Sequence, residues 1–278
     1  MEWRPVLRRH PRPAFMRLRH RHPVPLLIAM ALCLPAAAAT GEPEVALAAE
    51  DDAAPWSYAD GSGYVNDLVR AAFAAAGWRV RLNILPYARC KQMAMRGQVA
   101  GCFSASRTPE TAQVLLFPAH PVFEARNVLW VAVDSPLQGC DPAGWPHKPS
   151  VAFVNGYEYT PALDALRDTG KVAVEVADAE SEGLRKLSAR RIDAAVVTVD
   201  TVKRIDVVLR HAQVRHAVRA LCDFGGVPAY VAFSRRHPQG AAARTAFDAG
   251  METLQRNGDL ARLQKRWAER ALQLASPR

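Results

Sequence analysis

From Glu44 onward, short apolar runs of two-residue period alternate with segments of helical period, and this alternation restricts the chain to an α/β fold built on parallel sheets. Strand segments are expected at 44–49, 78–85, 99–104, 114–117 and 128–133. Tyr64, Leu68, Ala72 and Phe73 recur at helical spacing until Gly77 stops the helix, and Pro86 opens a second helix that runs to Arg96 and Gly97. After a Pro- and Gly-rich stretch at 136–149 the alternation restarts. Strands are then expected at 151–154, 172–176, 192–199 and 227–233, helices at 160–168, 181–190 and 201–210, and two closing helices at 241–256 and 259–272. With 278 residues, half of them hydrophobic, the chain has core for two domains, and that apolar content excludes a disordered protein.

The first 39 residues are different in kind. Residues 4–22 are rich in Arg and His, residues 24–34 are apolar, and Ala36 to Ala39 are small, the order of a secretory signal peptide over 1–39. Cleavage is expected between Ala38 and Gly41, giving a mature chain that begins near Thr40, and a start at Met16 would give a leader of ordinary length. Seven Arg against one Glu place +6 of the net +9 in this segment and leave +3 for the rest, so the basic pI of about 9.7 does not mark a nucleic-acid binder. Export to an oxidising compartment changes the meaning of the cysteines. Cys33 leaves with the leader, and the even set Cys90, Cys102, Cys140 and Cys222 reads as two disulfides of open connectivity. Their spacing matches no metal-ligand pattern and the His residues are scattered, so neither metal nor cofactor is expected.

Several motifs in register carry a resemblance. They are the loop Pro55-Trp56-Ser57-Tyr58-Ala59-Asp60-Gly61, Gly63-Tyr64 with Asp67-Leu68-Val69, and Pro86-Tyr87-Ala88-Arg89 with Gly97. Further along stand Ser106-Arg107-Thr108-Pro109-Glu110 with Phe117-Pro118, Gly156-Tyr157-Glu158-Tyr159, Arg191-Ile192-Asp193-Ala194, and Gly258-Asp259-Leu260 with Trp267. In this order they resemble the family 3 extracellular solute-binding proteins, the periplasmic receptors of polar amino-acid ABC importers. The resemblance implies a type II periplasmic binding fold, with one discontinuous lobe over 40–131 and 227–278 and a second over 132–226. Two crossing strands, 128–134 and 227–234, would join the lobes. It further implies a periplasmic monomer that holds a small polar solute, an amino acid or related compound, between the lobes for a membrane permease, without catalysis. The disulfides are then expected as Cys90–Cys102 and Cys140–Cys222, each within one lobe and neither blocking closure.

The resemblance places the ligand site at the strand ends. Trp56 and Tyr58 would cover the solute, while Ser104, Ser106 and Thr108 would offer hydroxyls and backbone N–H groups to a carboxylate. Gly156, Tyr157 and Tyr159 precede a second-lobe helix whose exposed amides suit an anion. Three positions depart from the family pattern: Thr111 stands where a carboxylate-pairing Arg is usual, Thr198 where an ammonium-pairing acid is usual, and Ala100 where an Asp is usual. Asp200 is the expected replacement for the acid, and Arg89 or Arg107 for the cation; without them a plain α-amino acid should bind weakly. Two other readings share this scaffold. One is a periplasmic enzyme resembling the cyclohexadienyl dehydratases, which would draw on Glu50, Asp51, Glu158 or Asp200, and the other is a sensing lobe for a membrane signalling partner.

Overall fold

Strand β1 (Glu44–Ala49) has Val45, Leu47, Ala48 and Ala49 wholly buried, and burial on both faces is what the interior of a parallel sheet requires. The computed structural model describes residues 42–275, so the leader expected over 1–39 lies outside the described residues. A short hairpin, β2 (Asp52–Ala53) and β3 (Ser57–Tyr58), leads to helix α1 (Tyr64–Ala75). There follow β4 (Arg79–Ile84), α2 (Tyr87–Arg96), β5 (Gly101–Ser106), α3 (Pro109–Val114), β6 (Leu115–Leu116) and β7 (Phe123–Ala132). The second half runs β8 (Ser150–Val154), α4 (Pro161–Asp168), β9 (Ala173–Ala177), α5 (Glu180–Ser188), β10 (Ala194–Val199) and α6 (Ile205–His211). The chain closes with β11 (Val218–Ser234), α7 (Gly240–Arg256) and α8 (Asp259–Ala275). None of the described helices is long and apolar enough to cross a membrane.

The main sheet has the order β4-β1-β5-β11-β7-β10-β8-β9, with β6 beside β11. Its flanks are parallel, β4-β1-β5 on one side and β10-β8-β9 on the other. At the centre β7 and β11 pair antiparallel, because the chain crosses from the first flank to the second along β7 and returns along β11. Each flank has its own core. Phe73, Phe233, Phe247 and Leu68 pack under the first, and Leu129, Val151, Phe153 and Leu163 under the second. α8 joins the first core through Leu263, Trp267 and Ala271, a four-residue stripe, and Trp267 Nε1 donates to Asp67 Oδ2 on α1 at 3.0 Å.

Four of the expected elements differ most from the structure. The crossing strands begin earlier, β7 at Phe123 and β11 at Val218. The Gly225-Gly226 pair reads as a break but forms a bulge within β11, where Gly225 takes φ +86° and a Cβ on Gly226 would meet Glu124 Oε1 at 2.6 Å. The strand expected at 114–117 shrinks to Leu115–Leu116 because Thr108 and Thr111 form a reciprocal capping box that starts helix α3. Helix α6 starts only at Ile205 because Asp200 Oδ1 accepts the N–H groups of Val202 and Lys203 and holds that segment in a turn.

Both disulfides connect as expected, Cys90–Cys102 between α2 and β5, and Cys140–Cys222 between the 136–149 stretch and β11. The second closes a loop of sequence separation 82 and the first one of 12, so chain entropy favours the second as the larger stabiliser. The double variant Cys140→Ser/Cys222→Ser should lose roughly 2–5 kcal/mol of unfolding free energy in a urea titration, more than Cys90→Ser/Cys102→Ser loses; the reverse order would count against the chain-entropy account.

Candidate functional site

Parallel strands present their carboxyl ends on one edge, and here the ends of β1 and β5 face those of β8 and β10 across the middle of β7 and β11. Between them lies a cavity of about 30 Å³ lined by Glu50, Trp56, Tyr87, Ser104, Ser106, Phe123, Asn127, Tyr157, Glu158 and Thr198. That is space for a water or two, so the two flanks are closed on each other. The loop after β1 is held by close backbone packing. A Cβ on Gly63 (φ +139°) would meet the Trp56 carbonyl oxygen at 2.3 Å, so only glycine lets the start of α1 lie against Trp56.

On the second flank the dominant group is Lys203, whose side chain is fully buried. Its Nζ donates to Glu180 Oε2 and, at 3.1 Å, to Thr198 Oγ1, and it sits 4.0 Å from the centre of the Trp56 ring. Glu180 Oε1 in turn accepts from the Thr198 N–H at 2.7 Å and the Thr198 hydroxyl at 2.6 Å. Phe123 stacks on Trp56 at 3.8 Å, so Lys203 and Phe123 together occupy both faces of the indole. Trp56 Nε1 donates to Asp200 Oδ2 at 3.0 Å, which bridges the flanks. Burial raises the Asp200 pKa despite the N–H groups that bind it.

The first flank offers a second charged cluster. Glu158 reaches across to accept from the Tyr87 hydroxyl at 2.8 Å, from Lys91 Nζ at 2.7 Å and from the Ser106 N–H at 3.3 Å. Beside it Glu50, buried, accepts from the Tyr157 hydroxyl at 2.6 Å. Burial pushes the Glu50 pKa up to about 8, against the lowering by Tyr157 and by the charge of Lys203; Glu180 and Asp51 push it further up. At the rim, Asp52 accepts from His211 Nε2 and from the Ser181 hydroxyl, each at 2.6 Å. Burial opposes the ionised form of Asp52, but those partners outweigh it and its pKa falls.

Asn127 lies on β7 directly opposite Thr198 of β10. It is fully buried, and its Oδ1 accepts the Thr160 N–H at 2.9 Å while its Nδ2 has no partner. A buried donor left unpaired costs roughly 1–3 kcal/mol.

The expected site residues divide accordingly. Trp56, Ser104, Ser106, Tyr157 and Thr198 line the cavity, and Asp200 lies behind Trp56. Gly156 accepts from Lys91 through its carbonyl, and Tyr58 meets His211 edge-on at the rim, 5.6 Å away. Tyr159 turns into the second core, its hydroxyl accepting the Val154 N–H at 2.8 Å. Thr108 caps α3, and Thr111 closes that cap and donates to the Ser106 carbonyl. Arg89 and Arg107 are exposed and line no part of the cavity; on α2 the cation that bonds a lining residue is Lys91, through Glu158. Lys91, Asn127, Glu180 and Lys203 were not legible as site residues. Glu180 stands in the first turn of a helix, where acids are ordinary, and Lys203 stands beside Arg204 in the turn after a strand, where cations are ordinary.

The chemistry of the buried groups yields two expected outcomes. A group whose folded pKa is raised stabilises the fold below its unfolded pKa, and that contribution is lost as pH rises through the folded value. Glu50, raised from 4.5 to about 8, should therefore cost the fold a few kcal/mol between those pH values. Urea titrations from pH 5 to 9 should show wild type losing stability where Glu50→Gln stays flat; parallel curves would refute the assignment. Lys203→Met, which leaves Glu180 buried and unpaired, should lose about 3–5 kcal/mol, and adding Glu180→Gln should restore most of it.

Comparison with known proteins agrees with this architecture. The profile of the bacterial extracellular solute-binding proteins, family 3, matches residues 45–270. No curated protein matches the chain by sequence. Among solved structures, a histidine kinase sensor domain with similarity to periplasmic binding proteins superposes with a TM-score of 0.69 at 19% identity, covering 81% of this chain and 95% of that one. An ancestral arginine-binding protein bound to arginine gives 0.68 at 17% identity, covering 81% and 97%. The substrate-binding protein of an amino acid ABC transporter gives 0.66 at 18%, covering 81% and 98%. At these identities the likeness shows the fold, that of the type II periplasmic binding proteins. The profile match spans most of the sequence and both flanks of the sheet: the chain belongs to the bacterial extracellular solute-binding proteins of family 3.

Proposed function

We propose that this protein captures a small polar solute between two lobes, in the periplasm and as a monomer, and delivers it to a membrane permease. The lobes are 40–131 with 227–278, and 132–226, moving about β7 and β11. The observation that carries this reading is the set of polar links across the cavity. Glu158 meets Tyr87, Lys91 and Ser106; Tyr157 meets Glu50; Asp200 meets Trp56; His211 and Ser181 meet Asp52. They join loops, strand ends and the facing turns of α2, α5 and α6, and the sheet spans the two sides through β7 and β11. Such links break and re-form in a hinge motion without disturbing either core. The leader expected over 1–39 supports export, and the likeness to the binding protein of an amino acid ABC transporter supports a permease partner.

Two specific observations favour other roles for the same fold. Glu50 is a buried carboxyl that keeps its proton at neutral pH, the state a general acid needs, and this favours an enzyme acting on the solute. The likeness to a histidine kinase sensor domain favours a signalling partner in place of a permease. Both are separated from transport by experiment. A thermal-shift screen of amino acids, opines, small peptides and organic acids should find a solute that raises Tm by about 5–10 °C at 100 times its Kd. Recovery of the hit unchanged after prolonged incubation is expected, and its conversion would establish the enzyme. Deleting the gene should abolish uptake of that solute by cells; intact uptake with a lost transcriptional response would establish the sensor.

A further inference from the structure

We infer that the solute is a small carboxylate without an ammonium group, and that Asn127 donates the hydrogen bond that holds its carboxylate. The inference rests on the solute-binding reading above and concerns the chemistry of that same cavity. It follows from which polar groups facing the cavity are already engaged and which are not.

The acids are engaged. Glu180 is saturated by Lys203 and by both donors of Thr198. Asp200 takes the Trp56 indole N–H and two backbone N–H groups. Glu158 takes Tyr87, Lys91 and the Ser106 N–H. Glu50 remains at the cavity wall, with the Tyr157 hydroxyl on Oε1. Its raised pKa leaves it an uncharged acid that offers an O–H. An arriving ammonium would find each neighbouring carboxylate already paired with the protein's own donors or protonated.

The donors tell the opposite story. Asn127 is fully buried and faces the cavity from the crossing strand β7. The Thr160 N–H bound to its Oδ1 fixes which way the amide points, and Nδ2 is left unpartnered. An unengaged amide N–H pair, with an acid O–H and the hydroxyls of Ser104 and Ser106 on the same cavity, complements an acceptor oxygen. The unengaged groups on the cavity wall are therefore donors, the complement of a carboxylate's oxygens.

Matched pairs test this on the full mature protein. Titration calorimetry with succinate against L-aspartate, 2-oxoglutarate against L-glutamate, and lactate against L-alanine compares skeletons that differ mainly at the ammonium. At least one ammonium-free member should bind, and at least tenfold more tightly than its amino twin. Asn127→Leu keeps the side-chain volume and removes the donor, so it should weaken that binding at least tenfold. Asn127→Ala, checked for folding by circular dichroism, should do the same should the leucine variant not fold. Equal or tighter binding of the amino twins, or binding confined to solutes without a carboxylate, would overturn the inference and leave the solute-binding reading intact. Undiminished binding by a folded Asn127 variant would remove Asn127 from the site. Failure of every solute in the wider screen to bind would overturn both.

Discussion

The closed cleft depends on one buried ion pair, Lys203 with Glu180. A lysine ammonium without solvent contact is stable only where other groups replace its hydration, and here a carboxylate, a hydroxyl and the face of an indole do so together. The partners of that pair extend the dependence outward. Thr198 holds Glu180 from two donors, Asp200 fixes the backbone turn from which Lys203 departs, and the same Asp200 holds the Trp56 indole from the opposite flank. Trp56 is pressed from behind by Phe123, and its loop is admitted by Gly63 alone. Removing one charge would leave the other stranded, so the pair acts as a register for the facing strand ends more than as a source of net stability.

Charge in this cleft is satisfied from within. Glu158 crosses to the Tyr87, Lys91 and Ser106 donors, and Lys203 lies against the Trp56 face while paired with Glu180, so these charges are met by partners of the chain itself. This explains why the cavity is small although thirteen residues of varied chemistry line it. It also gives solute binding a competitive character: a guest must take its hydrogen bonds from groups that are unengaged, or displace a tethered group that already has them. The departures at Thr111 and Thr198 fit the same pattern. Thr111 closes a helix cap, and Thr198 orients Glu180, so each position keeps a structural task where its charge is missing.

Much of the fold was legible because it rests on periodicity. The alternation of strand and helix and the stop at Gly77 follow from local pattern, while the disulfide pairing follows from the lobes that the family resemblance implies. What escaped depended on partners distant in sequence. The early start of β11 at Val218 is set by pairing with β7, and a Gly-Gly bulge conceals it in the sequence. The site was half legible. Trp56, Ser106 and Tyr157 lie in family motifs and Ser104 near the end of a strand, whereas Lys91 bonds Glu158 where Arg89 stays exposed because of which side of α2 meets the cleft. Asn127 had no sequence signal at all: an asparagine in an apolar strand becomes informative once its amide is seen with one end bound and the other free.

The most direct measurement is a crystal structure of the protein with the tightest-binding solute of the thermal-shift screen. That solute is expected in the cavity between the lobes, with an acceptor oxygen within hydrogen-bond distance of Asn127 Nδ2 and with Lys203 still paired to Glu180. A solute lodged outside that cavity, or an ammonium bound to Glu180 in place of Lys203, would contradict it.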